Sequence, residues 1–522
     1  MTVVSDRRST ALEAIAREAT AFHARDLTPA AMDAAKRVII DWMAVTCGGA
    51  DGVVAGSLTS ALTAASTGTD GPCRILGTGA SSIAPMAALI NGTAAHTLEL
   101  DDIYAPGTFH PGAPVIAAAF AVGEMQGASG SDLLRAVIMG YEVGDRIAAD
   151  LGPAHYRAFH TTGTAGALGA AAASACLLDL DEGRLVHALA ISATLAAGLQ
   201  QTFRSDAVAK PLHAGNAAHA GVIAALAARG GATGALDILD GEIGMGNVMG
   251  GGTTWEITRQ PWGSPSLIEL TTMKAYPCCG HAFAAIDAAG LLRDSVPQVD
   301  EVEDIVVETY AVAIQTAGIT HPVTPAEAKF SIPFTVATAL VHGRVELDSF
   351  VPSRVQDPTI SRVLELVRLE ESAEFSDVFP RRRGARATIR TRDGQIHRVA
   401  VPDRFGSPEN PMSVDLLERK FTDLMTRSGS GVDAAALLRS LLALEEVADS
   451  PCDVRIDPRG RTRSLPGEIS GPLVEERLHA LALIVCVEQD LERLALEEKR
   501  CRQGQIRTGA DQLANRRDRE RR

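Results

Sequence analysis

Residues Ala95 to Pro114 read A-H-T-L-E-L-D-D-I-Y-A-P-G-T-F-H-P-G-A-P, placing Glu99, Asp101, Asp102, His96 and His110 within fifteen residues. Small apolar runs flank the segment, Ile83 to Ala95 before it and Val115 to Val122 after it. Charges entering such surroundings lose hydration, which is costly unless they are paired or used. Carboxylates and imidazoles at a boundary of this kind are candidates for acid–base chemistry.

Four further patches carry site material. His160-Thr161-Thr162-Gly163-Thr164 precedes an Ala-rich helix, where free N–H groups and the helix dipole attract carboxylates; Thr164 is a candidate anion contact. Lys210-Pro211-Leu212-His213 leads into an apolar helix and presents an ammonium and an imidazole, His213. His213 and His219 are six apart and share no helical face, so a joint metal site is not expected. Lys274-Ala275-Tyr276-Pro277-Cys278-Cys279-Gly280-His281 is turn-rich and sits at a change of pattern, where ligand clefts form. The fourth patch, Thr320-His321-Pro322 with Ala328-Lys329-Phe330-Ser331, reads as a loop and a helix start.

The elements that must position these residues fall into three kinds. Apolar residues recur at three- and four-residue spacing in 10–22, 29–45, 84–98, 115–125, 131–149, 163–178, 182–199 and 215–228, the mark of packed helices. Strand-like alternation is almost absent before about residue 260. It then appears at 302–309 and 386–391, and Asp393-Gly394 marks a hairpin into 397–401. Helical patterns return at 282–292, 332–340, 361–366, 414–425 and 433–444. The expected fold is mostly α: a helical domain over 1–269 that resumes over 406–450, with a smaller α+β lid domain inserted at 270–405. The Arg-, Pro- and Gly-rich stretch 451–522 reads as a poorly ordered tail, with one candidate helix at 473–498.

Composition narrows the class of function. The 522 residues are 46% hydrophobic, enough for a large core. With 49 basic and 64 acidic side chains the net charge is −15, which disfavours nucleic acid as a partner. No signal-peptide pattern opens the chain and no apolar run reaches membrane-spanning length, so a cytoplasmic protein without a membrane partner is expected. The eight cysteines form no C-x-x-C pair or zinc-spaced array, so no metal is expected. A P-loop, a dinucleotide fingerprint, a nucleophile elbow and an H-E-x-x-H motif are all missing, so no nucleotide cofactor is expected.

Taken in order, N-G-T-A-A-H-T-L-E-L-D-D (91–102), H-P-G-A (110–113), F-H-T-T-G-T-A-G (159–166), K-P-L-H-A-G-N-A-A-H-A-G (210–221), K-A-Y-P-C-C-G-H (274–281) and E-A-K-F-S-I-P-F (327–334) resemble the MmgE/PrpD family. That family includes 2-methylcitrate dehydratase, cis-aconitate decarboxylase and iminodisuccinate epimerase. The resemblance covers about residues 10 to 448. It implies an all-helical domain, an α+β lid, a homodimer, and a small di- or tricarboxylate substrate handled without a cofactor. Residue by residue, it implies catalytic roles for Glu99, Asp101, Asp102, His110, His160 and Lys210, and lid contacts to substrate from Lys274 and His281. With the anion contacts Thr164 and His213, these make up the expected site.

Three departures from the family pattern bear on the reaction. The acidic motif is E-L-D-D where D-F-D-D is common, Phe283 stands where a second lid histidine is often found, and no tyrosine occurs near Ile319–Thr320. The resemblance implies a lid tyrosine in the decarboxylase type at the last of these positions, and together the three changes weaken decarboxylation most. Dehydration of a polycarboxylate such as 2-methylcitrate is therefore the first expectation. Epimerisation or decarboxylation of a related acid is the alternative, and non-catalytic carboxylate binding is a third. Proton removal beside a carboxylate needs a base and a cationic clamp, which imidazoles and lysines supply.

Overall fold

The computed structural model describes residues 9–65, 71–204, 208–295 and 299–447, with two short strands at 455–456 and 462–463. Apart from those strands, the expectations for the tail lie outside the described residues.

The fold is mostly α. Helices α1 (Ala11–His23) and α2 (Pro29–Gly49) start at Thr10 and Thr28, whose side chains accept N–H bonds from Glu13 and Ala31. Helix α3 (Val53–Ala65) was not singled out by periodicity. After it come a small hairpin of β1 (Cys73–Ile75) and β2 (Ala80–Ser82), then α4 (Ala84–Ala95) and α5 (Gly112–Gln126). The long α6 (Gly130–Tyr156), broken by a non-helical backbone at Gly152, precedes α7 (Thr161–Leu177), α8 (Glu182–Leu195) and α9 (Lys210–Arg229). Helices α4, α5, α7 and α9 pack against one another, and their Ala and Gly residues are almost wholly buried. Small side chains let these backbones approach closely, so the centre of the molecule is built from alanine rather than from aromatics.

Two of the boundaries that differ from the periodic reading shape the site. The run expected as helix to Leu98 stops at Ala95, which frees 96–102 as a loop. Helix α9 begins at Lys210, five residues before the expected Gly215, because Pro211 suits the first turn of a helix.

The second core lies under a four-stranded sheet in the order β4-β3-β5-β6, made of Val302–Thr309 (β3), Val367–Glu371 (β4), Ala385–Thr391 (β5) and Ile396–Val401 (β6). Strand β4 pairs parallel with β3, and the other pairings are antiparallel. Helices Phe283–Arg293 and Ile332–His342 share that core with Ile305, Val307, Ala387 and Ile389. Strand β4 falls just beyond the helical pattern at 361–366 and is mostly exposed, so no alternation marked it. Chain segment Val414–Ser428 then returns to α2, burying Leu417, Phe421, Leu424 and Met425 in the helical core. Backbone contacts join the two parts near the acidic motif, as Ile103 and Thr272 form a bridge and the Met273 N–H reaches the Gly406 carbonyl over 3.0 Å. Among the described residues no single helix is long and apolar enough to cross a membrane.

Candidate active site

The loop released at the end of α4 carries the acidic motif inward. Glu99 holds a left-handed backbone, φ +60°, which is uncommon for a residue with a side chain and is tolerated where surrounding contacts over-determine it. Here those contacts are ionic. The Glu99 carboxylate pairs with Lys210 at the start of α9, and its Oε2 lies 3.2 Å from Nζ of Lys274. Lys274 also donates to the Glu99 carbonyl over 3.0 Å, and Lys329 donates to the Leu98 carbonyl over 3.2 Å. Burial raises the Glu99 carboxyl pKa, but the two ammoniums override it and hold the group well below the usual carboxylate range. The Glu99 carboxylate thus gathers two lysines from distant stretches of chain, and the Leu98 carbonyl beside it takes a third.

Asp101 organises the imidazoles. Its Oδ2 lies 2.6 Å from Nδ1 of His96 and 3.3 Å from Nδ1 of His110, the latter poorly aligned for a hydrogen bond. Asp101 and His96 are buried, and burial would raise the Asp101 pKa, yet the adjacent imidazoles hold it well below the usual range. The His96 ring stacks on His160 at 5.4 Å and meets His110 edge-on at 4.8 Å. His160 opens α7, and its Nδ1 lies 3.2 Å from Nδ1 of His213 on the first turn of α9. Gly163 lets the Ala197 backbone come close here, because a Cβ there would sit 2.2 Å from the Ala197 carbonyl oxygen. Phe203 closes this side, edge-on to His160 at 4.9 Å and beneath the Lys210 ammonium at 5.5 Å.

Desolvation sets the protonation of the cluster. It lowers His110 to about 4 and His160 well below its ordinary value, with neighbouring positive groups adding to the effect at His160. Both imidazoles are therefore neutral at neutral pH in the free protein. Nε2 of His96 and Oδ1 of Asp101 are buried with no hydrogen-bond partner among the described residues. These atoms are unspent capacity that a ligand with polar groups would satisfy. The donor atoms of His96, Asp101 and His110 lie within 4.8 Å of one another, close enough to hold a cation, although the His96–Asp101 bond already uses two of them.

Other expected site residues take different positions. Asp102 faces away from the imidazoles; its oxygens accept the Gly112 N–H at 2.9 Å and the Tyr141 hydroxyl at 2.6 Å, tying down the start of α5. A Cβ on Gly112 would lie 2.8 Å from Asp102 Oδ1, so this contact needs glycine. Thr164 bonds His155 Nε2 at 2.7 Å, while its neighbour Thr162 accepts the His110 N–H at 3.2 Å. His281 is held by the Tyr310 hydroxyl at 2.7 Å. His219 bonds the Pro85 carbonyl, apart from His213. Cys278 and Cys279 are free and buried, and burial pushes both thiols up, so neither is a ready nucleophile. The structure gives contacts to His96, named with the acidic segment but assigned no role of its own, and to Lys329, read from sequence only as part of a loop and helix start.

Comparison with known proteins bears on the family of the chain. The MmgE/PrpD N-terminal domain model matches residues 13–258 and the MmgE/PrpD C-terminal domain model matches 276–446. The chain is 28% identical over 417 residues to a cis-aconitate decarboxylase-like protein, oryM, of Aspergillus oryzae, covering 73% of this chain and 83% of that protein. It is 27% identical over 386 residues to the cis-aconitate decarboxylase of Homo sapiens, covering 70% and 77%. Similarity to the mitochondrial 2-methylcitrate dehydratase of Yarrowia lipolytica is 27% over 193 residues, only 35% and 37% of the two chains. The two of these relatives matched over most of their length are named cis-aconitate decarboxylase or decarboxylase-like, which favours the alternative reaction over the one expected first.

Proposed function

The chain belongs to the MmgE/PrpD family, and we propose that it is a decarboxylating lyase acting on a small polycarboxylate of the cis-aconitate type. The observation that carries this reading is the largely buried His96–Asp101–His110 cluster, whose His96 stacks on His160, flanked by Lys210 and Lys274 on Glu99. The extensive similarity to proteins named cis-aconitate decarboxylases supports the choice of reaction. Assembly as a homodimer is proposed on the family resemblance alone.

The chemistry asks two things of such a site. When a carboxylate leaves as CO₂ from the carbon beside an alkene, its electron pair forms a new double bond. The old double bond shifts charge onto the far carboxylate. A proton then adds to the carbon next to that carboxylate, so a trianion and one proton yield a dianion and CO₂. Lys210 and Lys274 stabilise the charge that develops on the far carboxylate, which matters most in a site shielded from water. His110 delivers the proton, with the second imidazole, His160, beside it. Each is neutral in the free protein, and the carboxylates of a bound substrate favour the imidazolium. Substrate binding therefore loads the proton that the reaction consumes.

Dehydration is the second reading, favoured by the absence of a tyrosine near Ile319–Thr320. It uses the same lysines and an imidazole as base. Purified protein incubated separately with cis-aconitate and with 2-methylcitrate decides between the two. CO₂ release from cis-aconitate supports decarboxylation. Alkene formation from 2-methylcitrate without CO₂ from cis-aconitate replaces it with dehydration.

A further inference from the structure

We propose that a cavity of about 200 Å³ between the loop at Ala105–Pro106 and the lid arginines is a second binding site, taking a small oxyanion of two or more negative charges. Arg381, Arg382, Arg383 and Arg404 line it, opposed by Asp403 and the exposed Glu409. Asp403 is engaged by Arg382, whose Nε donates to it over 2.8 Å. Arg383 and Arg404 are the unusual members. They are 6% and 2% exposed, and among the described residues neither forms an ion pair. Arg404 donates only to the Gly280 carbonyl at 3.0 Å and the Thr272 hydroxyl at 3.3 Å, and Arg383 to the Ala105 carbonyl at 2.8 Å.

Two polar atoms of the lining are left over. Nε of Arg383 and Oγ of Ser407 are both buried without a hydrogen-bond partner among the described residues. Buried guanidiniums are normally paired with carboxylate or phosphate, whose planar or tetrahedral oxygens match their fork of donors. Burial and the Arg383 charge push Arg404 down to about 9, the direction expected of a cation lacking its counter-ion. The imidazole cluster, Lys210 and Lys274 do not line this cavity, which adjoins the turn ending at His281 through the Arg404–Gly280 hydrogen bond. Its volume suits inorganic phosphate or a short polycarboxylate rather than a nucleotide.

Calorimetric titration of the full chain at low ionic strength tests this, with inorganic phosphate and, separately, tricarballylate as probes. Phosphate and carboxylate share the recognition chemistry, and the tighter probe identifies the source. The expected result is binding that Arg383→Met weakens by about tenfold or more while Lys210→Met leaves phosphate affinity within about twofold. Glu409→Gln, at an exposed position with no role in the core, should tighten binding about twofold by removing an opposing charge. That variant keeps the test decisive if Arg383→Met fails to fold. No binding by the unaltered chain, or affinity unchanged in both Arg383→Met and Glu409→Gln, overturns the proposal. Loss in Lys210→Met with retention in Arg383→Met overturns it as well, since the anion would then sit at the catalytic cluster.

Discussion

Nδ1 of His96 lies 2.6 Å from Oδ2 of Asp101, and the same oxygen is 3.3 Å from Nδ1 of His110. One carboxylate oxygen therefore stands between two imidazoles, hydrogen-bonding His96 and lying beside His110. Charge on Asp101 also favours an imidazolium beside it, which is what a proton donor in this site requires.

Replacing Asp101 with Asn keeps the shape but removes that charge. We expect Asp101→Asn to lower kcat by about 100-fold, as losses of such orienting carboxylates do, with a much smaller change in KM. Because Asp101 is held well below the usual carboxylate range, it stays ionised in the wild type across pH 5–9, and no limb of the wild-type profile in that range belongs to it. Steady-state kinetics against pH for both proteins checks this; equal kcat values would remove Asp101 from the mechanism.

The lysine pair should act through Glu99. Lys210→Met and Lys274→Met are each expected to reduce kcat/KM by about 100- to 1,000-fold. In a Glu99→Gln background the further loss from Lys274→Met should be smaller, because the ammonium has already lost the partner that places it. Additive losses would show that Glu99 does not position the clamp.

Asp102 makes a prediction about stability rather than turnover. Its carboxyl is raised from 3.8 to about 7, by burial foremost, against the lowering effect of the Tyr141 hydroxyl. A raised acid gives stability that is full below about pH 4 and is lost as pH rises through 7, at about 1 kcal/mol per pH unit. Asp102→Asn does not titrate and can still bond Gly112 and Tyr141. Urea unfolding should therefore show the variant gaining on the wild type between pH 4 and 8. A constant difference across that range contradicts the shift.

In the lid, the Tyr310 hydroxyl fixes His281 at 2.7 Å, and the Tyr310 ring stacks on Phe379 at 4.8 Å. Tyr310→Phe keeps the stacking and frees the imidazole. If His281 serves substrate binding, KM should rise about 3- to 10-fold with kcat little changed. An equal fall in kcat and kcat/KM would instead assign His281 to the chemical step.

Much of this arrangement was legible in the sequence, for specific reasons. The long helices showed because α1 and α2 pair clear apolar spacing with Thr caps. The imidazoles and lysines showed because their types are rare beside Ala and Gly runs, and because their motifs recur in a known order. What periodicity could not supply was direction. Helix α7 is buried on nearly every side, so no polar face told Thr164, which meets His155, from Thr162, which meets the His110 backbone. Nor could spacing separate Asp101 from Asp102, adjacent in sequence but turned toward different partners by the loop that Glu99 bends. Lys329 was hidden because it comes within reach of this loop only through the fold of the lid.

The most direct test is proton NMR in D₂O with cis-aconitate as substrate, comparing the wild type with His110→Ala. The account predicts loss of the substrate alkene signal, two new exomethylene protons, and one deuterium on the carbon beside the far carboxylate, all strongly slowed in the variant. Unchanged turnover in His110→Ala, or a wild type that leaves cis-aconitate intact while forming an alkene from 2-methylcitrate, would contradict it.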